Sequence, residues 1–199
     1  MSRVVAAVAI AYLLGSMPFG YWIGRLRGVD LRAEGSGNTG ATNALRVLGR
    51  KLGVLVMALD IGKGTLAVLI AAQLGGTGTE VLAATAAVIG HAFPVFLRFK
   101  GGKAVATGAG AMLGLAPITA VIAFAVWLAV IALTRYVSVA SLIAAVLFPI
   151  LAIVFDRPWP VVAFTLAAAS FVFWRHRANI ARLRAGTENR MGARKPDAR

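Results

Sequence analysis

Cysteine is absent from the 199 residues, histidine occurs twice, and the acidic residues number seven against 21 Lys and Arg. The first absence excludes disulfides and thiolate-metal sites and leaves the redox compartment open. With so few histidines and carboxylates, a metal centre lacks ligands, and neither a metal nor a cofactor is expected. The shortage of acid leaves a formal charge of +14, which in a soluble chain would suggest nucleic acid. Yet 59% of the residues are apolar, and the charge lies in clusters between long uncharged runs. That pattern argues against nucleic acid and for a lipid bilayer.

A spanning helix needs roughly 20 mostly apolar residues. Seven runs are candidates: 4–24, 52–74, 79–97, 103–116, 117–134, 137–155 and 158–174. The fourth is the shortest and is rich in Gly and Ala, which suits close packing through Gly108, Gly110 and Gly114. The first reads as a span rather than a signal peptide, because basic residues follow it and no small-x-small cleavage site is evident. An odd number of spans puts the termini on opposite sides. With the N-terminus outside, the inner segments 25–51, 98–103, 135–136 and 175–199 hold 18 of the 21 basic residues. Arg3 and Arg157 lie outside, and Lys63 falls within the second run. By the positive-inside rule the chain reads as an all-α integral membrane protein of about seven transmembrane helices, N-terminus outside and C-terminus cytoplasmic. Residues 1–188 form one polytopic membrane domain, and 189–199 a basic, flexible cytoplasmic tail. Every long polar stretch lies on the inner side, so the chemistry is expected to face the cytoplasm.

The first such stretch contains GSGNTG at 35–40, a literal G-x-G-x-x-G. A dinucleotide site would need a buried strand before it and an acidic residue about 20 positions on. Here the preceding residues are RLRGVDLRAE, and an apolar run lies downstream. What remains is an anion-binding nest, in which Gly35, Gly37 and Gly40 turn backbone N–H groups inward. Ser36, Asn38, Thr39, Thr42 and Asn43 add neutral donors, and Arg46 can clamp a phosphate bidentately. A merely polar interhelical loop is the bland alternative.

The second stretch is GHAFPVFLRFKGGKAVATG at 90–108. His91 lies at the inner end of the third run, where an ionisable group is costly unless it faces a polar site. Pro94 interrupts the helix, Gly101 and Gly102 turn the chain, and Lys103 with Thr107 opens the next helix. The spacing is not that of a P-loop, since position 97 is Leu and position 104 is Ala. The bland alternative is that Arg98, Lys100 and Lys103 only set the topology.

The third stretch, WRHRANIARLRAGTE at 174–188, reads as a continuation of the last span. At 100° per residue His176, Asn179, Ile180 and Leu183 share one face, with arginines on either side. A basic helix on anionic lipid explains the arginines but not His176 and Asn179 on the inward face. Gly186 is a C-terminal stop, and Glu188 can turn back to a cation. Within the second run, Asp60 and Lys63 share a helix face, as a buried structural pair or as part of a site.

SGNTGATNALR, GHAFPVFLRFKGGKAVAT and HRANIARLRAGTE together resemble the three cytoplasmic motifs of the bacterial acyl-phosphate-dependent glycerol-3-phosphate acyltransferases. DIGKG at 60–64 is similar to theirs as well, and the resemblance spans 36–188. It implies seven spans in the bacterial inner membrane with a cytoplasmic active site. It also implies transfer of a fatty acyl group from acyl phosphate to the sn-1 hydroxyl of glycerol 3-phosphate. The products are lysophosphatidic acid and phosphate, in the first acylation of phospholipid synthesis. A transient contact with the enzyme that makes acyl phosphate follows from the same resemblance. The H-x-x-x-x-D pair of acyl-CoA-type acyltransferases is missing, since Phe96 and Ala181 stand five residues after His91 and His176.

On this reading His176, Ser36, Arg46 and Lys103 are catalytic. Gly35, Gly37, Asn38, Gly40, Thr42, Asn43, His91, Gly101, Gly102, Thr107, Asn179, Arg182 and Glu188 bind substrate. Residues 36–42 would cradle acyl phosphate, and Arg46, Lys103, His176 and Asn179 would hold glycerol 3-phosphate. Either His176 or a substrate phosphate takes the proton. Two other classes stay open. A transporter for organic phosphates would need polar residues near the midplane, where only Asp60, Lys63 and His91 qualify. A noncatalytic membrane subunit that binds phospholipid or an acyltransferase is the third.

Overall fold

Small side chains fill the interior of this protein and large ones cover its outside, the reverse of a water-soluble core. Ala67, Ala71, Ala83, Ala84, Ala87 and Ala111 are buried, while Leu66, Leu69, Ile89, Val121, Leu128 and Ile153 are exposed. In lipid there is no hydrophobic drive to hide leucine, so helices associate through close backbone packing and small residues mark the contacts.

The computed structural model describes residues 1–192. The part of the expected tail at 193–199 lies outside the described residues. The described chain is all-helical, without strands. In chain order the α-helices are α1 (Ser2–Ser16), α2 (Phe19–Leu26), α3 (Ala41–Leu48), α4 (Arg50–Leu74) and α5 (Thr77–Ala92). After a 3-10 turn at Val95–Leu97 come α6 (Val105–Leu115), α7 (Pro117–Thr134), α8 (Val137–Val154), α9 (Trp159–Arg175) and α10 (Arg177–Arg184). Five helical stretches are long and apolar enough to cross a membrane: Ser2–Leu26, Arg50–Leu74, Thr77–Leu97, Pro117–Thr134 and Val137–Val154. The shorter apolar helices α6 and α9 stand where the fourth and seventh runs were expected.

Three expected helices are interrupted, each for a local reason. The first run breaks at Met17, because Pro18 has no N–H to continue the ladder. The third ends at Ala92, two residues before Pro94, and the chain then passes through left-handed Arg98 (φ 51°) and Phe99 (φ 63°). The expected continuation of the last span breaks at His176, whose ψ of 5° separates α9 from α10. Helix α6 is 11 residues long, about 16 Å against a hydrocarbon core of about 30 Å. It is bounded by left-handed Ala104 at one end and by extended Ala116 before Pro117 at the other.

Helices α4 and α6 meet in a close internal seam. A β-carbon at Gly64 would collide with the Thr107 carbonyl, and one at Gly110 with the Ile61 carbonyl. Thr65 reinforces the seam by donating its hydroxyl to the Gly110 carbonyl at 2.8 Å. Gly62, on the same helix, meets nothing within 4 Å. Gly110→Val should therefore destabilise the protein by about 1–3 kcal/mol through overpacking. Gly62→Ala should leave the thermal unfolding midpoint in detergent unchanged or slightly raised, and a midpoint equally lowered by both contradicts the seam.

Candidate functional site

The loop from Val29 to Gly40 is built around one side chain. Asn43, buried on the first turn of α3, accepts the Ser36 N–H at 2.8 Å and donates to the carbonyls of Leu31 and Glu34 at 3.0 Å each. Gly35 and Gly37 take φ of 62° and 69°, a region costly for L side chains, and a β-carbon on Gly35 would overlap the Asn43 amide. Asn38 accepts the Gly40 N–H at 2.9 Å, and Gly40 is the N-cap of α3. Asn43 therefore frames the loop with its whole amide, whereas Ser36, Thr42 and Arg46 are exposed. The N–H groups at the start of α3 and the positive end of its dipole lie beside them.

A second turn faces the end of α9. The Gly101 and Gly102 amides donate to the carbonyls of Ala92 and His91 at 3.2 and 3.1 Å. Their own carbonyls accept the Arg175 guanidinium at 3.1 and 2.6 Å. The turn is thus held from both sides, and Lys103 follows it. Its ammonium donates to the Asn179 carbonyl oxygen, Asn179 donates to Glu188 at 2.6 Å, and Arg182 donates to the other Glu188 oxygen at 2.7 Å. Gly186 (φ 69°) stops α10 as expected, with the Thr187 N–H returning to the Arg182 carbonyl at 2.9 Å, and this brings Glu188 back to the cluster.

Burial, opposed by Glu188 and assisted by Arg182, Arg175 and Arg46, pushes the Lys103 ammonium down to about 8. Arg46 on α3 is the smallest of the charges acting on Lys103. Buried His176 is pushed down to about 4, first by burial and then by the Lys103 charge. It is thus neutral at pH 7. Its Nδ1 lies 2.8 Å from the Val172 carbonyl, an acceptor only, so Nδ1 carries the proton and Nε2 presents a lone pair. Burial raises the Glu188 carboxyl, but hydrogen bonds from Asn179 and Arg182 outweigh it and hold the group below its usual range.

His91 and Thr107, expected to bind substrate, lie beneath this site. The His91 Nδ1 is 2.9 Å from the Thr107 hydroxyl and 3.6 Å from Asp60 Oδ1, and a β-carbon on Gly102 would overlap the imidazole. Lys63 pairs with Asp60 at 2.8 Å and donates to the Met17 carbonyl at 2.8 Å. That carbonyl lies at the Pro18 break, so the pair satisfies a backbone group that lipid would not. His91, Thr107, Asp60 and Lys63 thus form one buried polar cluster.

An apolar groove opens beside Lys103, between α6, α8 and α9. It begins at Ala104 and Val172, and runs down past Gly108, Ala145 and Ala168 to Phe148 and Phe164. Ser141 and Thr165 line it too, but their hydroxyls donate to the Val137 and Val162 carbonyls, so the groove is apolar in effect. Neither the groove nor the role of Arg175 was legible in the sequence. Arg175 read as one of a basic stripe.

A family model described as glycerol-3-phosphate acyltransferase matches residues 5–186. Glycerol-3-phosphate acyltransferase 2 of Moorella thermoacetica is 51% identical, over 94% of this chain and 97% of its own. Glycerol-3-phosphate acyltransferase of Synechococcus sp. strain CC9902 is 50% identical over 93% and 94%. Among solved structures, the integral membrane glycerol 3-phosphate acyltransferase PlsY in its glycerol 3-phosphate form is 43% identical with a TM-score of 0.92, covering 95% of this chain and 96% of that one. Its lysophosphatidic acid form gives 42% and 0.90, with 95% of each chain covered.

If Asn43 frames the loop, Asn43→Ala leaves one amide and two carbonyls without their partner, at a cost of about 1–3 kcal/mol for each that stays buried. Hydrogen exchange at the Ser36 amide should quicken at least tenfold, with α4 amides unchanged. Unaltered exchange at Ser36 contradicts the framing role.

Proposed function

The chain belongs to the glycerol-3-phosphate acyltransferase family, and from that premise we propose that it transfers an acyl group from acyl phosphate to the sn-1 hydroxyl of glycerol 3-phosphate. It is an integral membrane acyltransferase, and lysophosphatidic acid is its product. The observation that carries the finer reading is the junction of an apolar groove with a cationic turn at Lys103. An acyl phosphate has this same division, an alkyl chain ending in a phosphate.

The alkyl chain lies in the groove, with its carbonyl carbon at the Ala104 and Val172 end. The α3 N-terminus, Ser36, Thr42 and Arg46 take one phosphate; Lys103, Asn179 and Arg182 take the other. In the reaction the glycerol oxygen attacks the acyl carbon, an ester C–O bond forms, and the bond to the leaving phosphate breaks. Cations fixed before the reaction offset the charge on that phosphate. The donor is already activated, so holding the hydroxyl near the carbonyl supplies much of the rate.

The His176 lone pair at Nε2 accepts the hydroxyl hydrogen bond and orients the nucleophile. With its conjugate acid near 4, the imidazole is a poor base at pH 7. A phosphate monoester, whose second pKa is about 6, is the better one. The proton therefore passes to a phosphate oxygen of the substrate. No acyl-enzyme forms, and Ser36 serves as a donor. The seven apolar helical stretches read as seven spans with the N-terminus outside, which puts the site at the cytoplasmic face of the bacterial inner membrane. There it would meet the enzyme that supplies acyl phosphate.

Arg46→Ala, Lys103→Ala and His176→Ala should each lower kcat/KM with acyl phosphate by about 100-fold or more while the thermal midpoint holds. Near-normal turnover in all three refutes the site. Because Lys103 is lowered to about 8, it is charged below that pH and neutral above. The pH profile of kcat/KM, which reports the free enzyme, should fall as pH rises through about 8. Lys103→Arg should remove that limb at whatever activity it retains, and a limb that stays near 8 assigns it elsewhere.

A further inference from the structure

The groove's lining passes from small side chains to bulky ones, and this bears on chain length if the transfer proposed above takes place there. Its upper wall is lined by small residues, Gly108, Ala109, Ala144 and Ala145 among them. Its lower end is lined by Met112 from α6, Phe148 from α8 and Phe164 from α9. Met112 and Phe164 are buried, and Phe148 packs on the same cluster, which continues beyond them through Leu115, Ala116 and Val161. Two of the helices reach this level after the same descent. From Ala104 to Met112 and from Val172 to Phe164 the chain advances eight residues, about 12 Å at a rise of about 1.5 Å per residue. With carbon–carbon bonds of about 1.5 Å, an extended alkyl chain gains about 1.3 Å per carbon, so roughly nine or ten carbons reach the bottom.

We propose that Met112, Phe148 and Phe164 form a floor that sets acyl selectivity: a straight chain of about ten carbons is taken whole, and a longer one must turn out into lipid. Phe148 is the half-buried member of the three, so the chain leaves over it. Phe148 is accordingly the main determinant of how well long chains are used. Gly108 lies one turn below the mouth, and a β-carbon there meets only Val88 Cγ2, at 3.8 Å. A larger side chain at 108 can therefore enter the groove without displacing a helix, and would shorten it to about 6 Å, or four to five carbons.

The test uses the purified full chain with saturated acyl phosphates of 4, 10, 14 and 18 carbons at fixed glycerol 3-phosphate. Phe148→Ala should raise the ratio of kcat/KM for 18 over 10 carbons by about tenfold, within the range that pocket shape gives for apolar groups. Phe148→Leu, which keeps more of the volume, should move it the same way by less. Gly108→Leu should lower use of 10 to 18 carbons at least tenfold relative to 4. An unchanged profile in both Phe148 variants, or a Gly108→Leu protein that keeps the parent ratio of 18 over 4, overturns the floor. Calorimetric binding of lysophosphatidate with 10 and 18 carbons reads the same groove without turnover. If the unsubstituted protein uses no acyl phosphate of any length, the donor reading fails. The floor then stands or falls on whether Phe148→Ala shifts binding toward 18 carbons.

Discussion

Arg175 donates to two consecutive carbonyls, those of Gly101 and Gly102, and the polar end of this protein depends on that bridge. Both bonds come from one terminal nitrogen of the guanidinium, whose two N–H groups reach two acceptors in a row. Its geometry explains why two glycines stand there. A side chain at Gly101 would meet the His91 and Ala92 carbonyls, and one at Gly102 the imidazole of His91. With the turn fixed, Lys103 has one direction to take, toward Asn179. Since Arg175 is also the last residue of α9, the same contact sets where His176 begins the next element.

Positive charge dominates around this turn. Arg182, Arg175 and Arg46 all act on Lys103, and among the described residues Glu188 is the carboxylate that opposes them there. The depressed Lys103 ammonium reflects burial first and then that excess of positive charge. Two phosphates would relieve it, and the low dielectric at the membrane boundary strengthens each contact. The adjoining groove requires the opposite, and its two hydroxyls are turned back onto their own helices. A molecule with an anionic head and an alkyl tail fits both surfaces at once.

Much of this arrangement was legible in the sequence, because it rests on residue types whose chemistry is narrow. Glycines at 35 and 37 announced a turning loop, and the inward face of 176–183 announced buried polar groups. The helix break before Pro94 was anticipated, whereas the one at Pro18 was less visible, since a run of apolar residues hides the loss of one backbone N–H. Asn43 was recognised as a polar donor, but its use as the frame of the loop depends on three backbone partners 7 to 12 residues away. His91, Asp60 and Lys63 were identified as costly groups, and only their spatial meeting showed them supporting the turn and the α1 break. The groove could not be read at all, as it arises where alanines of three helices fail to fill space.

The central claim is that an acyl group passes directly from phosphate to glycerol 3-phosphate at the Lys103 turn. The most direct measurement supplies the purified protein with labelled glycerol 3-phosphate and either palmitoyl phosphate or palmitoyl-CoA. The account predicts lysophosphatidate and inorganic phosphate in equal amounts from the first donor and no lysophosphatidate from the second. Product from palmitoyl-CoA alone, or an acylated Ser36 trapped during turnover, would contradict it.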